Sequence, residues 1–338
     1  MKRDLSIREI AEKAGVSIAT VSRVINNPDR VSKAMLDRVL PVIEKYDYVP
    51  NLAAKNMFSR RANAIAIFVY DMRNPFFLAI IKRLNTLALE NNYTLLICDT
   101  ENDPKREQEY YRYCRSVRVA GIVLTEGSFL DPFADIFAGK PERAGQQTMK
   151  LVSIDRPAGE SIPLITSDNR QAGYRICRHI LDLKHRQIAF AGCNDSLRSI
   201  DERFMGFREA LLDEGIDLAE NLIFHHRQPT KEAGAQAFDE LFGGSGPQPT
   251  AVVCANDEIA LGLIARAGEK GLRIPQDISV TGFDGVDGSF SWRPITTMKQ
   301  QVDQLAEHAF DCIVKDQTCT PRIQLDMQFI PGNTTQAV

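Results

Sequence analysis

The sequence predicts an α/β protein in two parts: a small all-α N-terminal unit containing a helix-turn-helix, then a two-lobed body with parallel sheets. Three observations carry this prediction. The first fifty residues read as short amphipathic helices separated by a Gly-containing turn and Ser caps. From Ala64 onward, apolar runs of five to seven residues alternate with helical patterns, as parallel strands covered on both faces require. The alternation runs through two series, and 338 residues are enough for two or three separate cores.

In the N-terminal part, Ser6-Ile7-Arg8-Glu9 is a capping box, with Ile7, Ile10 and Ala11 as the apolar face behind it. Gly15 allows a turn, and Ser17 caps a second helix that turns Val21 and Val24 inward. The outer face of that helix carries Ile18, Ala19, Ser22, Arg23 and Asn26. Such short or hydrogen-bonding side chains can enter a major groove: Arg23 suits a guanine edge, Ile18 and Ala19 suit thymine methyls, and Ser17 or Ser22 suits phosphate. A helical hairpin with a solvated polar face would read the same way. Ser32 caps a third helix, Lys33 to Asp47, with Met35, Leu36, Val39, Leu40 and Ile43 as its apolar face. Pro50-Asn51 opens a further short helical pattern, LAAKNMFSRR, too short to be stable alone.

In the body, the expected strands are AIAIFVY, TLLIC, GIVLT, KLVSI, QIAFAGC, TAVVCAN and DISVTGF. Ligands in open parallel sheets sit beyond the carboxyl ends of the strands. Those ends are consistently polar here: Asp71, Asp99, Thr125, Asp155, Asn194, Asn256 and Asp284. Asn74-Pro75-Phe76-Phe77 brings aromatic rings to the same mouth, and Arg203 lies on the helix after QIAFAGC. Carboxylates, an amide and an Arg around aromatic faces can hold a polyhydroxylated ligand. For any one residue, a helix N-cap is an equally good reading.

Charge is unevenly spread. Residues 1–63 carry 12 Lys and Arg against 7 Asp and Glu, a balance of +5, and the remainder balances at −8. A basic end on an acidic body suits a polyanionic partner that meets only the end, although chance unevenness explains a figure of this size as well. The N-terminus MKRDLSIREIAEK lacks an apolar signal segment, and no apolar run approaches bilayer length, so a cytoplasmic protein without membrane contact is expected. The seven cysteines are scattered and never form C-x-x-C, which leads us to expect reduced thiols and no zinc site.

An enzyme is the main rival class. Asp155 and Asp284 can be read as an acid/base pair, but there is no phosphate loop, no H-E-x-x-H and no nucleophile motif. His225 and His226 on a strand point to opposite faces, and His179 and His185 suit packing or solvation. No catalytic residue, metal or cofactor is therefore expected. Trp292 suits either a stack on a sugar ring or a core position.

The run SIREIAEKAGVSIATVSRVINNPDRVS followed by YDYVPNLAAKNM resembles the headpiece of the lactose/galactose repressor (LacI/GalR) family. The resemblance continues through SDNRQAG, HRQIAFAG, ERFMGF, ANDEIALG and PQDISVTGFD. It implies a transcription regulator, a repressor, that binds a pseudo-palindromic double-stranded DNA operator as a homodimer. It also implies a periplasmic-binding-protein-like sensor with an effector between its lobes. By position, the DNA contacts would be Ser17, Ile18, Ala19, Thr20, Ser22, Arg23, Asn26, Asn51, Ala54 and Met57, with Met57 in place of the usual Leu wedge. Effector contacts would be Phe76, Thr125, Asp155, Ser199, Arg203, Asn256 and Asp284. Gly285 stands where a second Asp is common, and Lys184 where Gly is. The effector implied is a sugar or sugar phosphate, with a nucleoside or purine as runner-up. A free sugar-binding protein and a regulator without a metabolite are the other readings. The expected domains are a headpiece at 1–49, a hinge at 50–62 and a sensor at 63–338. Its first lobe would span about 63–161 and 293–320, and its second about 162–292 and 321–338.

Overall fold

A computed structural model describes residues 5–26, 28–48, 63–125, 149–159, 161–193, 197–226, 228–244, 248–285, 294–315 and 319–338, without the side chains of Asn26 and Cys193. The expected hinge with Asn51, Ala54 and Met57, and also Asn194 and Trp292, lie outside the described residues. The chain divides into two compact units, Met1–Arg61 and Ala62–Val338.

In the first unit, α1 (Ile7–Ala14), α2 (Ile18–Asn26) and α3 (Lys33–Tyr46) surround a core of Ile10, Ala11, Ala14, Val21, Val24 and Val39. The capping box forms: the Glu9 N–H donates to Ser6 Oγ, and the Ser6 N–H donates to Glu9 Oε2 at 2.8 Å. Gly15 ends α1 in the left-handed region at φ 62°, which only Gly enters without steric penalty. Arg38 of α3 donates to its carbonyl at 3.0 Å and ties the turn to the third helix. Leu40, expected on the apolar face of α3, is instead exposed, because Val39 takes the inward position.

The second unit holds two six-stranded sheets. The first has the order β11-β5-β4-β3-β1-β2, with all pairs parallel. Its strands are β1 (Ala64–Val69), β2 (Thr94–Asp99), β3 (Gly121–Leu124), β4 (Lys150–Ile154), β5 (Leu164–Ser167) and β11 (Arg322–Leu325). The second has the order β12-β10-β9-β8-β6-β7, from β6 (Ile188–Cys193), β7 (Ile223–His225), β8 (Ala251–Cys254), β9 (Ser279–Asp284), β10 (Thr296–Lys299) and β12 (Gln328–Ile330). Only the β10–β12 pair is antiparallel. The central strands are buried almost end to end, as a sheet covered by helices on both faces demands.

Strand partners move the expected lobe boundaries. Leu164–Ser167 pairs with β4, so the first crossing follows Ser167 rather than residue 161. Thr296–Lys299 pairs with β9 and belongs to the second lobe, which puts the second crossing at Gln300 instead of 293. Arg322–Leu325 pairs with β5 in the first lobe, so the third crossing follows Leu325. Between the last two crossings, α10 (Val302–Val314) packs on α4 (Pro75–Glu90) and β4 of the first lobe.

One cysteine expectation is corrected as well. Cys312 at the end of α10 and Cys319 before β11 form a disulfide, their Cα atoms 5.4 Å apart, within bridging range. Nothing in the C-x6-C spacing announces this, because the helix end and the strand entry bring the two together. Cys98, Cys114, Cys177 and Cys254 are free and buried. Among the described residues, no helix is long and apolar enough to cross a membrane.

Candidate functional site

The helix-turn-helix presents one side of α2 to solvent. Ser17, Ile18, Ala19 and Arg23 are exposed, Ile18 at 46% despite its apolar side chain, and Thr20 and Ser22 are partly covered. Val21 and Val24 anchor the opposite side, so the expected reading face is the outward one. Ser17 Oγ accepts from the Thr20 N–H at 3.1 Å and lies 2.9 Å from the Thr20 hydroxyl, which fixes the start of the helix. An exposed Ile beside Ala at the helix start, with Arg23 exposed further along the same helix, is a surface suited to base edges and methyl groups.

The second site is a cleft between the lobes, and it gathers six of the seven expected effector contacts: Phe76, Asp155, Ser199, Arg203, Asn256 and Asp284. Each is set by an element end. Asn74 caps α4 through a 2.9 Å bond from the Phe76 N–H, which brings Phe76 and Phe77 to the mouth with rings 5.3 Å apart. Asp155 follows β4 and Asp284 ends β9, at φ 57° and φ 97°. Side chains rarely adopt these left-handed conformations, and such strain is held where the surroundings fix it. Ser199 and Arg203 lie on α7 (Arg198–Asp213). Asn256 caps α9 (Asp257–Glu269) through its oxygen and donates to the Pro229 carbonyl through its amide, so the cap and cleft readings hold together.

Thr125 is the exception. Its hydroxyl donates to the Phe68 carbonyl at 2.8 Å and accepts from the Tyr70 N–H, bracing the end of β1 without lining the cleft. The reason is register: Thr125 continues the strand next to β1, and its short side chain is spent on that neighbour. Tyr70, Ile200, Leu197, Pro229 and Gln300 line the cleft but were not singled out in the sequence. Only Tyr70 had a signal there, as an aromatic residue at the carboxyl end of the first strand.

The electrostatics are tightly specified. Arg203 is 3% exposed and uses three nitrogens on protein: Nε donates to Asn169 Oδ1 at 2.9 Å, Nη1 to the Ala255 carbonyl at 2.7 Å, and Nη2 to Asp284 Oδ1 at 3.1 Å. Its guanidinium stacks over Phe283 at 4.8 Å. Asp155 Oδ1 accepts from the Thr166 hydroxyl at 2.6 Å and the Ser167 N–H at 3.2 Å. Burial pushes the Asp155 carboxyl up, against the pull of Thr166 and Arg203. Glu258 is also raised by burial, with Lys231 pulling it back and the Asp284 charge adding to the rise. Both Asp155 and Asp284 bond to protein through Oδ1 alone among the described residues. Gly285 beside them sits at φ 68°, and a Cβ there would come within 2.4 Å of Lys299, so the Asp common at this position has no room.

Of the packing and solvated readings of His185, the structure takes packing, at 1% exposure between the Thr250 hydroxyl and the Gln336 carbonyl. Among the described residues, no three His, Cys, Asp or Glu side chains converge as metal donors.

Both units match family models. Residues 6–51 fit the model of bacterial regulatory proteins of the lacI family, and residues 62–331 fit that of periplasmic binding proteins and the sugar binding domain of the LacI family. The chain belongs to the LacI family. It is a DNA-binding transcription regulator and not an enzyme. The regulator DegA of Bacillus subtilis is 31% identical over 301 residues, covering 89% of this chain and 88% of its own. The repressor PurR of Vibrio vulnificus is 29% identical, covering 92% and 91%. Among solved structures, the lac repressor dimer bound to operator and the anti-inducer ONPF shares the fold at a TM-score of 0.83, with 24% identity over 99% of this chain and all of that one. The regulator CelR in complex with cellobiose matches at a TM-score of 0.68 and 25% identity, over 98% and 99%.

Proposed function

We propose that this LacI-family chain is a cytoplasmic repressor that binds a pseudo-palindromic operator as a homodimer, under control of a small, uncharged, polyhydroxylated effector in the cleft. The bonding state of Asp155 and Asp284 carries this reading. Each carboxylate spends one oxygen on protein and keeps the other for a ligand, which suits hydroxyl donors. Phe76 and Phe77 supply apolar faces for a ring. The cellobiose held by CelR is in keeping with a sugar.

The same geometry argues against a sugar phosphate. Among the described lining residues, two carboxylates face one guanidinium that is already bonded to Asn169, Ala255 and Asp284. A phosphate would meet two carboxyl groups, one of them pushed up by burial, and a guanidinium whose donors are largely committed to protein. The aromatic rings favour a nucleoside or purine as the second reading. In the headpiece, Ser17, Ile18, Ala19, Thr20, Ser22, Arg23 and Asn26 meet the operator. Asn51, Ala54 and Met57 complete the contact, with Met57 as the minor-groove wedge. Effector binding changes the lobe angle and through it the DNA-bound population, which requires different affinity for the two arrangements.

A thermal-shift panel tests the effector class, using neutral mono- and disaccharides, their phosphorylated counterparts, nucleosides and purines. A ligand at a hundred times its Kd adds about 2.7 kcal/mol, several degrees for a unit this size. A phosphorylated sugar that binds as well as its neutral counterpart would refute the charge argument. A purine hit moves the assignment to the second reading, and silence across the panel favours a regulator without a metabolite. Arg23→Ala is expected to relax base preference at one position per half-site, whereas a uniform loss would make Arg23 a phosphate contact.

A further inference from the structure

A closed ring of hydrogen bonds through five buried residues runs through the lobe crossings. The Ser167 hydroxyl donates to Gln300 Oε1 at 2.7 Å, and Gln300 Nε2 donates to Asp284 Oδ1 at 2.8 Å. Arg203 donates to the same Asp284 oxygen at 3.1 Å and to Asn169 at 2.9 Å. Asn169 Nδ2 then donates back to the Ser167 carbonyl at 3.1 Å. All five residues are at most 6% exposed. Ser167 and Asn169 bracket the first crossing, and Gln300 stands at the second.

Gln300 is the link with no substitute in this ring. Its amide works in two directions: the oxygen faces Ser167 at the end of a first-lobe strand, and the nitrogen faces Asp284 at the end of a second-lobe strand. A reversed amide would set oxygen against carboxylate, so the partners fix its orientation. Asp284 is also a cleft residue. A hydroxyl that donates to its other oxygen draws on the charge holding the Gln300 bond, so cleft and hinge share one carboxylate. Buried networks of this kind specify a single arrangement when every member is satisfied.

We propose that Gln300 is a positioning residue that locks the angle between the two lobes through Ser167 on one side and Asp284 on the other. Its role in effector response rests on the cleft being the effector site, but the lock itself does not. The test therefore uses the full-length chain without ligand. Spin labels are carried by non-natural residues at positions 109 and 240, exposed and on different lobes, and labelled chain is diluted into unlabelled chain. Double electron–electron resonance reads the interlobe distance, and the thermal midpoint is taken on the same samples. The wild type should give one narrow distance. Gln300→Leu should lose it to a broad distribution, and Ser167→Ala, which cuts only the first-lobe arm, should do the same. Ser167→Ala decides the matter alone if Gln300→Leu does not fold. A narrow, unchanged distance with only a lower midpoint would make Gln300 a structural core group and overturn the lock. Broadening in Gln300→Leu but not in Ser167→Ala would overturn it too. A ligand panel without a hit removes the effector reading and leaves this result intact.

Discussion

Gly206→Ala should destabilise the sensor even though it improves helix propensity. Gly206 lies on α7 where that helix crosses α6 (Asn169–Asp182), and a Cβ there would sit 1.9 Å from the Arg170 carbonyl oxygen and 2.7 Å from the Tyr174 nitrogen. Both neighbours are backbone, so no side chain can swing aside and the helices must separate. Gly173 makes the reciprocal approach, where a Cβ would come within 2.0 Å of the Arg203 carbonyl. Overpacking of this kind costs about 1–3 kcal/mol, against a gain of roughly 1 kcal/mol from Ala over Gly in a helix. The net loss is up to about 2 kcal/mol, a fall in Tm of up to a few degrees for a unit of this size. Gly268→Ala is the control, because Gly268 lies in α9 with nothing within 4 Å of its would-be Cβ. It should raise stability by about 0.5–1 kcal/mol. Calorimetry on both variants reads the difference directly. A Gly206→Ala protein as stable as Gly268→Ala would refute the close-approach argument.

Three further outcomes are expected. Glu107→Gln leaves the buried Arg156 guanidinium, 2.8 Å from Glu107 and 6% exposed, without its counter-charge; the cost is about 3–5 kcal/mol, a Tm loss of roughly ten degrees in thermal unfolding. Burial holds His185 and His179 below the ordinary histidine value, so the unfolded chain binds more protons once pH falls below about 6.5. Stability present above that pH is lost on acidification, and His185→Gln should flatten the slope of Tm between pH 7 and 5; an unchanged slope would contradict this. Ser6→Ala removes half of the capping box and costs about 1 kcal/mol, which hydrogen exchange should read as roughly fivefold faster opening of α1.

The parts of the fold that rest on local chemistry were legible in the sequence. Ser6 and Glu9 cap each other because a Ser and a Glu three residues apart satisfy each other's backbone donors wherever a helix starts. The apolar runs became parallel strands, and of the polar residues at their ends Asp155, Asn256 and Asp284 came together at one cleft, because strand ends in open α/β sheets share one rim, whereas Asp71 pairs with Arg73 and Thr125 braces β1. What stayed hidden depends on partners distant in the chain. Arg322–Leu325 gives no sign that it returns to the first lobe, since that is decided by its pairing with β5. Gln300 sits in the polar run Lys299-Gln300-Gln301 and looks like a surface residue, yet the second crossing buries it against Ser167 and Asp284. The sequence points to Arg203 as a ligand contact, but not to the bonds that already occupy its Nε, Nη1 and Nη2. Those bonds change the chemistry expected of the cleft. A guanidinium tied to Asn169, Ala255 and Asp284 acts as a fixed support for a carboxylate acceptor and leaves little capacity to clamp an anion, which is the ground for proposing a neutral hydroxylated ligand over a phosphorylated one.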